Sequence, residues 1–167
     1  TRIDYKTIGV DNFIYSLALA ETDFDGDSVQ DIVIGRNGYI SWYEYSNPGS
    51  GGSAFDRRGL INTGVDTYDV VITDVDGDAL PDILAAQEGG IVSWYELDDP
   101  ANNQDGSFDE FHQRGFYQDP SGYTFRSLVA DDINQDGVTE IYAGRDNDPN
   151  SPTSGGSIMV LTMDSSN

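Results

Sequence analysis

Cysteine is absent from the 167 residues. That excludes a disulfide frame, a thiolate metal site and a cysteine nucleophile. It does not exclude an extracellular setting; it means that something other than disulfides must staple the loops. Basic residues are scarce, with 8 lysines and arginines against 30 aspartates and glutamates and a formal charge of −22. So acidic a surface repels nucleic-acid phosphates and anionic membranes, and it favours cations or basic surfaces. Nucleic acid is therefore not expected as a partner. No apolar run approaches the length of a membrane span, so membrane insertion is not expected either, and no signal peptide is visible. The chain starts at Thr1 rather than Met, and an upstream segment removed before this point is the expectation. No Asn-x-Ser/Thr sequon occurs; Asn150-Ser151-Pro152 lacks a hydroxyl residue in third place. The single histidine, His112, falls in a polar stretch and reads as surface loop. Nucleophile–base pairs and phosphate loops are also missing, so no catalytic residue and no organic cofactor site is assigned, and the chain reads as non-enzymatic.

What is present suffices for one domain with a real core: hydrophobic residues make up 37% and aromatics 11%. The organising feature is a repeat. Three units align, each with an apolar stretch, an acidic loop, a short β-branched run and a glycine-led run. The first unit continues after its loop as Asp31-Ile32-Val33-Ile34-Gly35 and then Ser41-Trp42-Tyr43-Glu44. The second continues as Asp82-Ile83-Leu84-Ala85-Ala86 and Ser93-Trp94-Tyr95-Glu96, and the third as Glu140-Ile141-Tyr142-Ala143-Gly144 and 156–163. Val, Ile, Tyr and Trp in short runs between Gly, Asn, Asp and Pro are strand chemistry, and no helical period is evident. A fourth strand is expected at 55–61 and at 108–116, and the chain opens on a similar piece at 2–9. No such piece follows Met163. The resulting organisation is a single repeat domain over 1–167: an outer strand of a preceding or neighbouring blade at 1–10, repeats at 11–63 and 64–118, and a third at 119–167 without its fourth strand. Four strands per unit at this period predict an all-β, propeller-like array of about three blades, incomplete as a closed ring.

The acidic loops begin at Asp23, Asp74 and Asp132 and run nine residues each. Positions 1, 3, 5 and 9 carry side-chain oxygens throughout: Asp23, Asp25, Asp27 and Asp31; Asp74, Asp76, Asp78 and Asp82; Asp132, Asn134, Asp136 and Glu140. Alternate oxygens over a tight turn converge on one point, because a glycine at position 4 permits the left-handed backbone that folds the loop inward. Calcium takes six to eight oxygens. The four side chains, a backbone carbonyl at position 7 (Val29, Leu80, Val138) and water would supply them. Magnesium suits the loops less, since crowded protein ligands leave little room for the waters it retains. The last carboxylate comes at position 9 rather than 12 and a strand follows it, which argues against an EF-hand. About three calcium sites are expected. The third departs from the pattern, with Gln135 in place of glycine, Asn134 in place of a carboxylate and Glu140 in place of aspartate, and it is expected to be the weaker site. An acidic turn can also be plain solvated surface, and Asn103-Gln104-Asp105-Gly106 reads that way.

The pattern D-x-D-G-D-x-x-x-D followed by Ile, together with Ser-Trp-Tyr-Glu ending a glycine-led strand, resembles the FG-GAP/VCBS repeats, the calcium-bearing blades of integrin α-subunit propellers and of many secreted proteins. The resemblance covers nearly the whole chain. It implies calcium at the aspartates named above and a secreted or cell-surface location. Trp42 and Trp94 occupy equivalent positions and are expected in blade-to-blade packing rather than stacked on sugar. Arg57 and Arg58 are expected to pair with local acids.

Three blades are too few to close comfortably within one chain, and exposed strand edges pair with what fits them. Head-to-tail self-association into a homo-oligomeric ring or a filament, with the N-terminal strand complementing the third unit, is one expectation. A carbohydrate- or protein-binding propeller of the adhesin or lectin kind is a second, and a fragment of a longer propeller a third.

Overall fold

A computed structural model describes residues 12–20, 24, 28–45, 55–97, 111–146 and 155–162. Eleven strands and no helix occur among the described residues. The first sheet holds β1 (Ile14–Leu19), β2 (Asp31–Arg36), β3 (Tyr39–Tyr45) and β4 (Phe55–Asn62) in that order, each antiparallel to the next. The second repeats it with β5 (Thr67–Thr73), β6 (Asp82–Gln87), β7 (Ile91–Leu97) and β8 (Phe111–Gln118). The third has β9 (Phe125–Asp131), β10 (Glu140–Arg145) and β11 (Ser157–Thr162). The strands fall within a few residues of their sequence-based positions. His112 is exposed on β8, as the strand expected at 108–116 implies, and not in the loop its polar surroundings suggested. The opening piece at 2–9 and the turn at 103–106 lie outside the described residues.

Consecutive sheets stack face to face, with β1 beside β5 and β5 beside β9. Two cores result. One joins the first and second sheets through Phe24, Val33 and Trp42 on one side and Val70, Ile83 and Leu97 on the other. The other joins the second and third through Val75, Leu84 and Val92 against Phe125, Leu128 and Ile141. All six residues of β6 are buried because both of its faces are covered. This explains its continuous apolar run, Ile83-Leu84-Ala85-Ala86, where a half-buried strand would alternate. The arrangement is that of propeller-like blades.

A single carboxylate ties the three innermost strands. Asp69 on β5 accepts from Ser16 Oγ on β1 at 2.7 Å and from the Leu128 amide on β9 at 2.8 Å. Asp69→Ala leaves a part-buried amide without its acceptor, so urea unfolding should show a loss of about 1–3 kcal/mol. Each four-stranded sheet also carries a bulge at an arginine. Arg58 is skipped between Gly59 and Arg57 in the β3–β4 register and pairs with Glu44. Arg114 occupies the same place in β8 and pairs with Glu96 at 2.7 Å. The bulge re-aims a side chain that strict alternation would direct elsewhere.

Candidate metal centre in the acidic loops

Each acidic loop connects the innermost strand of a sheet to the next strand. In the second loop, one oxygen each of Asp74, Asp76 and Asp78 lie within 4.8 Å of one another. The backbone holds them there. Asp74 accepts the amides of Gly77 at 2.6 Å and Ala79 at 2.9 Å. Asp76 accepts that of Asp78 at 3.2 Å, and Asp78 that of Leu80 at 2.8 Å. Asp76 and Asp78 each form an Asx turn through one oxygen, Asp74 uses both of its oxygens on loop amides, and the remaining lone pairs are free to face a cation. The third loop repeats the scheme. Asp132 accepts from Asp136 and Gly137, Asn134 Oδ1 from Asp136, and Asp136 from Val138. Here the grouped carboxylates are Asp132, Asp136 and Glu140.

Two left-handed residues shape these turns, where the sequence reading relied on one glycine. In the second loop they are Gly77 (φ 84°) and Ala79 (φ 72°); in the third, Gln135 (φ 62°) and Gly137 (φ 87°). Ser28 in the first loop has φ 71°. In the second and third loops positions 4 and 6 thus both adopt φ > 0, and the third loop moves its glycine from one to the other. Gln135 is therefore a relocated strain rather than a broken turn. Val29, Leu80 and Val138 each follow the position 6 residue. A non-glycine residue at φ > 0 is strained, so Ala79→Gly, at an exposed methyl, should stabilise the protein by about 0.5–1 kcal/mol in thermal unfolding.

Position 9 behaves differently from the other ligand candidates. Its carboxylate is buried in all three loops and accepts the amide of position 2. Phe24 N–H donates to Asp31 at 2.8 Å, Val75 N–H to Asp82 at 2.8 Å and Ile133 N–H to Glu140 at 3.1 Å. The second oxygen is where the loops diverge. Asp31 Oδ1 receives the Trp42 indole N–H at 2.7 Å. Glu140 Oε1 receives the Asn134 amide at 2.5 Å. Asp82 Oδ1 is buried with no donor at full hydrogen-bond distance; the Trp94 indole N–H, itself without a partner, stands close enough only to favour the carboxylate slightly. Burial pushes the Asp82 carboxyl up to about 7, against the lowering effects of the Val75 amide and the Trp94 indole, and the Asp76 and Asp78 charges add to the rise. Asp82 is not one of the three converging carboxylates, but a buried carboxylate oxygen that feels the Asp76 and Asp78 charges is what a hard divalent cation in the loop would satisfy. The donor set, all oxygen with no sulfur or imidazole, fits the same kind of ion.

The FG-GAP-like repeat profile matches the chain twice, over residues 23–85 and 74–143. The chain belongs to the FG-GAP-like repeat family. The two matches overlap across the second acidic loop, so each FG-GAP-like match runs from one acidic loop through the next. A search of curated proteins found no match.

Within this FG-GAP-like chain, Asp23, Asp25 and Asp27 lie outside the described residues, so of the first-loop ligand candidates only Val29 and Asp31 are described. Of the remaining candidates, the second-loop trio and the third-loop Asp132, Asp136 and Glu140 are brought together. Asn134 is turned to Glu140 instead. That exchange has a physical reason. Val160 stands where the first two sheets have Trp42 and Trp94, so no indole can reach Glu140, and the longer glutamate finds its donor within the loop. Trp42 is buried edge-on to Phe24 and Phe111, and Trp94 packs against the second core, as the packing reading expects. Sequence reasoning passed over position 2. Phe24, Val75 and Ile133 share an apolar character in three otherwise polar loops, and that was the available signal.

Proposed function

We propose that this FG-GAP-like chain is a calcium-stapled, non-enzymatic structural module that works outside the cell and assembles with other copies of itself. The observations that carry the calcium reading are the convergence of Asp74, Asp76 and Asp78 and, in the same loop, Asp82 Oδ1, a buried carboxylate oxygen without a full hydrogen bond that feels the Asp76 and Asp78 charges. Calcium would draw on Asp74, Asp76, Asp78 and Asp82 in the second loop. In the third it would draw on Asp132, Asp136 and Glu140, where the Asn134–Glu140 bond competes with it. The sequence places the same ligand set in the first loop. Bound calcium would neutralise carboxylates that otherwise repel one another and so order each turn between its strands. FG-GAP-like repeats typically occur in extracellular proteins, where calcium is millimolar, and a chain without cysteine gains from a metal what others gain from disulfides. Calorimetric titration of the full chain with calcium tests this. Binding that Asp82→Asn weakens at one site is the expected result, and the absence of any calcium-specific heat would refute the reading.

A further inference from the structure

Consecutive sheets meet through one contact that the chain makes twice. At its rim the position 2 residue of the acidic loop enters the next sheet. Phe24 reaches the Phe111 ring of the second sheet, with centroids 5.2 Å apart, and Val75 is buried in the core shared with the third. At its inner edge, a side chain of one inner strand approaches an amide of the next. Ser16 Oγ lies 3.4 Å from the Val70 amide, and Asp69 Oδ2 accepts from Leu128 at 2.8 Å. Register fixes the equivalences. Ser16, Asp69 and Ser127 pair with Gly35, Ala86 and Gly144, and Leu17, Val70 and Leu128 pair with Ile34, Ala85 and Ala143.

Each half of this contact appears once more on an open face. On the third sheet, Ile133 (58% exposed), Val129 (58%), Ile158 (75%) and Val160 (52%) stand where the second sheet uses Val75, Val71, Val92 and Trp94. On the first sheet, Leu17 (61%) and Leu19 (56%) stand where the second uses Val70 and Ile72. Tyr45 and Phe55, rings 5.5 Å apart, stand where it uses Leu97 and Phe111. Exposed apolar side chains gathered on one face, rather than scattered singly, mark interaction sites.

We propose that the open face of the third sheet receives the first sheet of a second copy of this chain, with Ile133 inserted toward the partner's Phe55 and Ser127 Oγ accepting the partner's Leu17 amide. The inference rests on the assembly reading above and names its surface. A second copy is the occupant because the two faces are the two halves of one interface already made twice within the chain. The contact is heterologous, so it runs head to tail. Glu140 holds the Ile133 amide. Ordering the third loop with calcium therefore fixes the inserted residue, and calcium strengthens the contact. Two chains of charge −22 repel, so added salt also strengthens it, which is the opposite of an interface built on ion pairs.

Sedimentation velocity on the full chain in calcium, over a wide concentration range, tests the proposal. The wild type should gain mass with concentration. Leu17→Asp and Val160→Asp should each stay monomeric, and an equimolar mixture of the two should form a heterodimer and nothing larger, because each variant keeps the half the other lacks. Both side chains are exposed in the single chain, so circular dichroism and the calcium titration should match wild type and show that the variants fold. A wild type monomeric at every concentration overturns the proposal while leaving the calcium reading intact if calcium still binds. An oligomer that survives both substitutions, or one lost in only one of the two variants, overturns it as well. Assembly that persists in a protein binding no calcium would support the surface and refute the calcium reading instead.

Discussion

Chelation of calcium from the full chain is expected to lower its melting temperature by several degrees for every occupied loop. An ion that binds only the folded state contributes about 2.7 kcal/mol per site at one hundred times its Kd. A domain of this size shifts by about 2–4 °C per kcal/mol, so each site is worth roughly 5–10 °C. Asp82 makes the test more pointed, because its effect should change sign. Without calcium the Asp82 carboxylate is buried with one oxygen unsatisfied. Asparagine keeps an acceptor for the Val75 amide and removes the charge, so Asp82→Asn should melt at or above wild type in EDTA. In calcium it should melt below wild type, having lost an anionic ligand. Glu140→Gln should show a smaller crossing, since Glu140 already has the Ile133 amide and Asn134 as partners. Calorimetric scans of the three proteins in calcium and in EDTA would decide it. Parallel shifts of all three would mean that calcium does not act through these loops.

Phe24→Ala is expected to be the most damaging single substitution among the loop residues, costing about 3–5 kcal/mol in urea unfolding. Phe24 is fully buried and lies edge-on to Trp42 at 5.4 Å and to Phe111 at 5.2 Å. Truncation would open a cavity lined by aromatic rings on two different sheets, and rigid rings collapse poorly into such a space. Against a total stability of about 5–15 kcal/mol, that loss is a large share. It should persist in EDTA, which separates it from the loss of a metal ligand. The same loop position supplies its own control. Ile133 is more than half exposed, so Ile133→Ala should leave the stability of the single chain almost unchanged. Equal losses at the two positions would mean that position 2 acts within its own loop and not on the neighbouring sheet.

Strand positions and the acidic loops were legible in the sequence because both depend on local chemistry. Val, Ile and Trp runs mark strands wherever they fall, and carboxylates at positions 1, 3, 5 and 9 mark a turn around oxygen ligands. What escaped the sequence depends on the neighbouring sheet. Strand β6 shows no alternation because both its faces are covered, so its sequence does not say which residue faces which neighbour. The bond from Trp42 to Asp31 joins residues on adjacent strands, and its absence around Glu140 traces to Val160 on a strand twenty residues further on. Gln135 looked like a defect because only position 4 was expected to be left-handed; Gly137 two residues later carries the other half of the turn. His112 read as surface loop although it falls inside the strand expected at 108–116; its polarity suits the exposed outer strand of a sheet, where it lies.

The second sheet contributes to both cores and through Asp69 holds both neighbouring inner strands. Linear repeat proteins commonly lose structure from their ends, one unit at a time, because each unit depends only on its nearest neighbours. Among the three described sheets, the middle one neighbours both of the others. Fraying at either end strips one face from β6 and unpairs one side of Asp69. The three described sheets are therefore expected to unfold in one transition, so that a lesion in any one of them lowers the stability of all three.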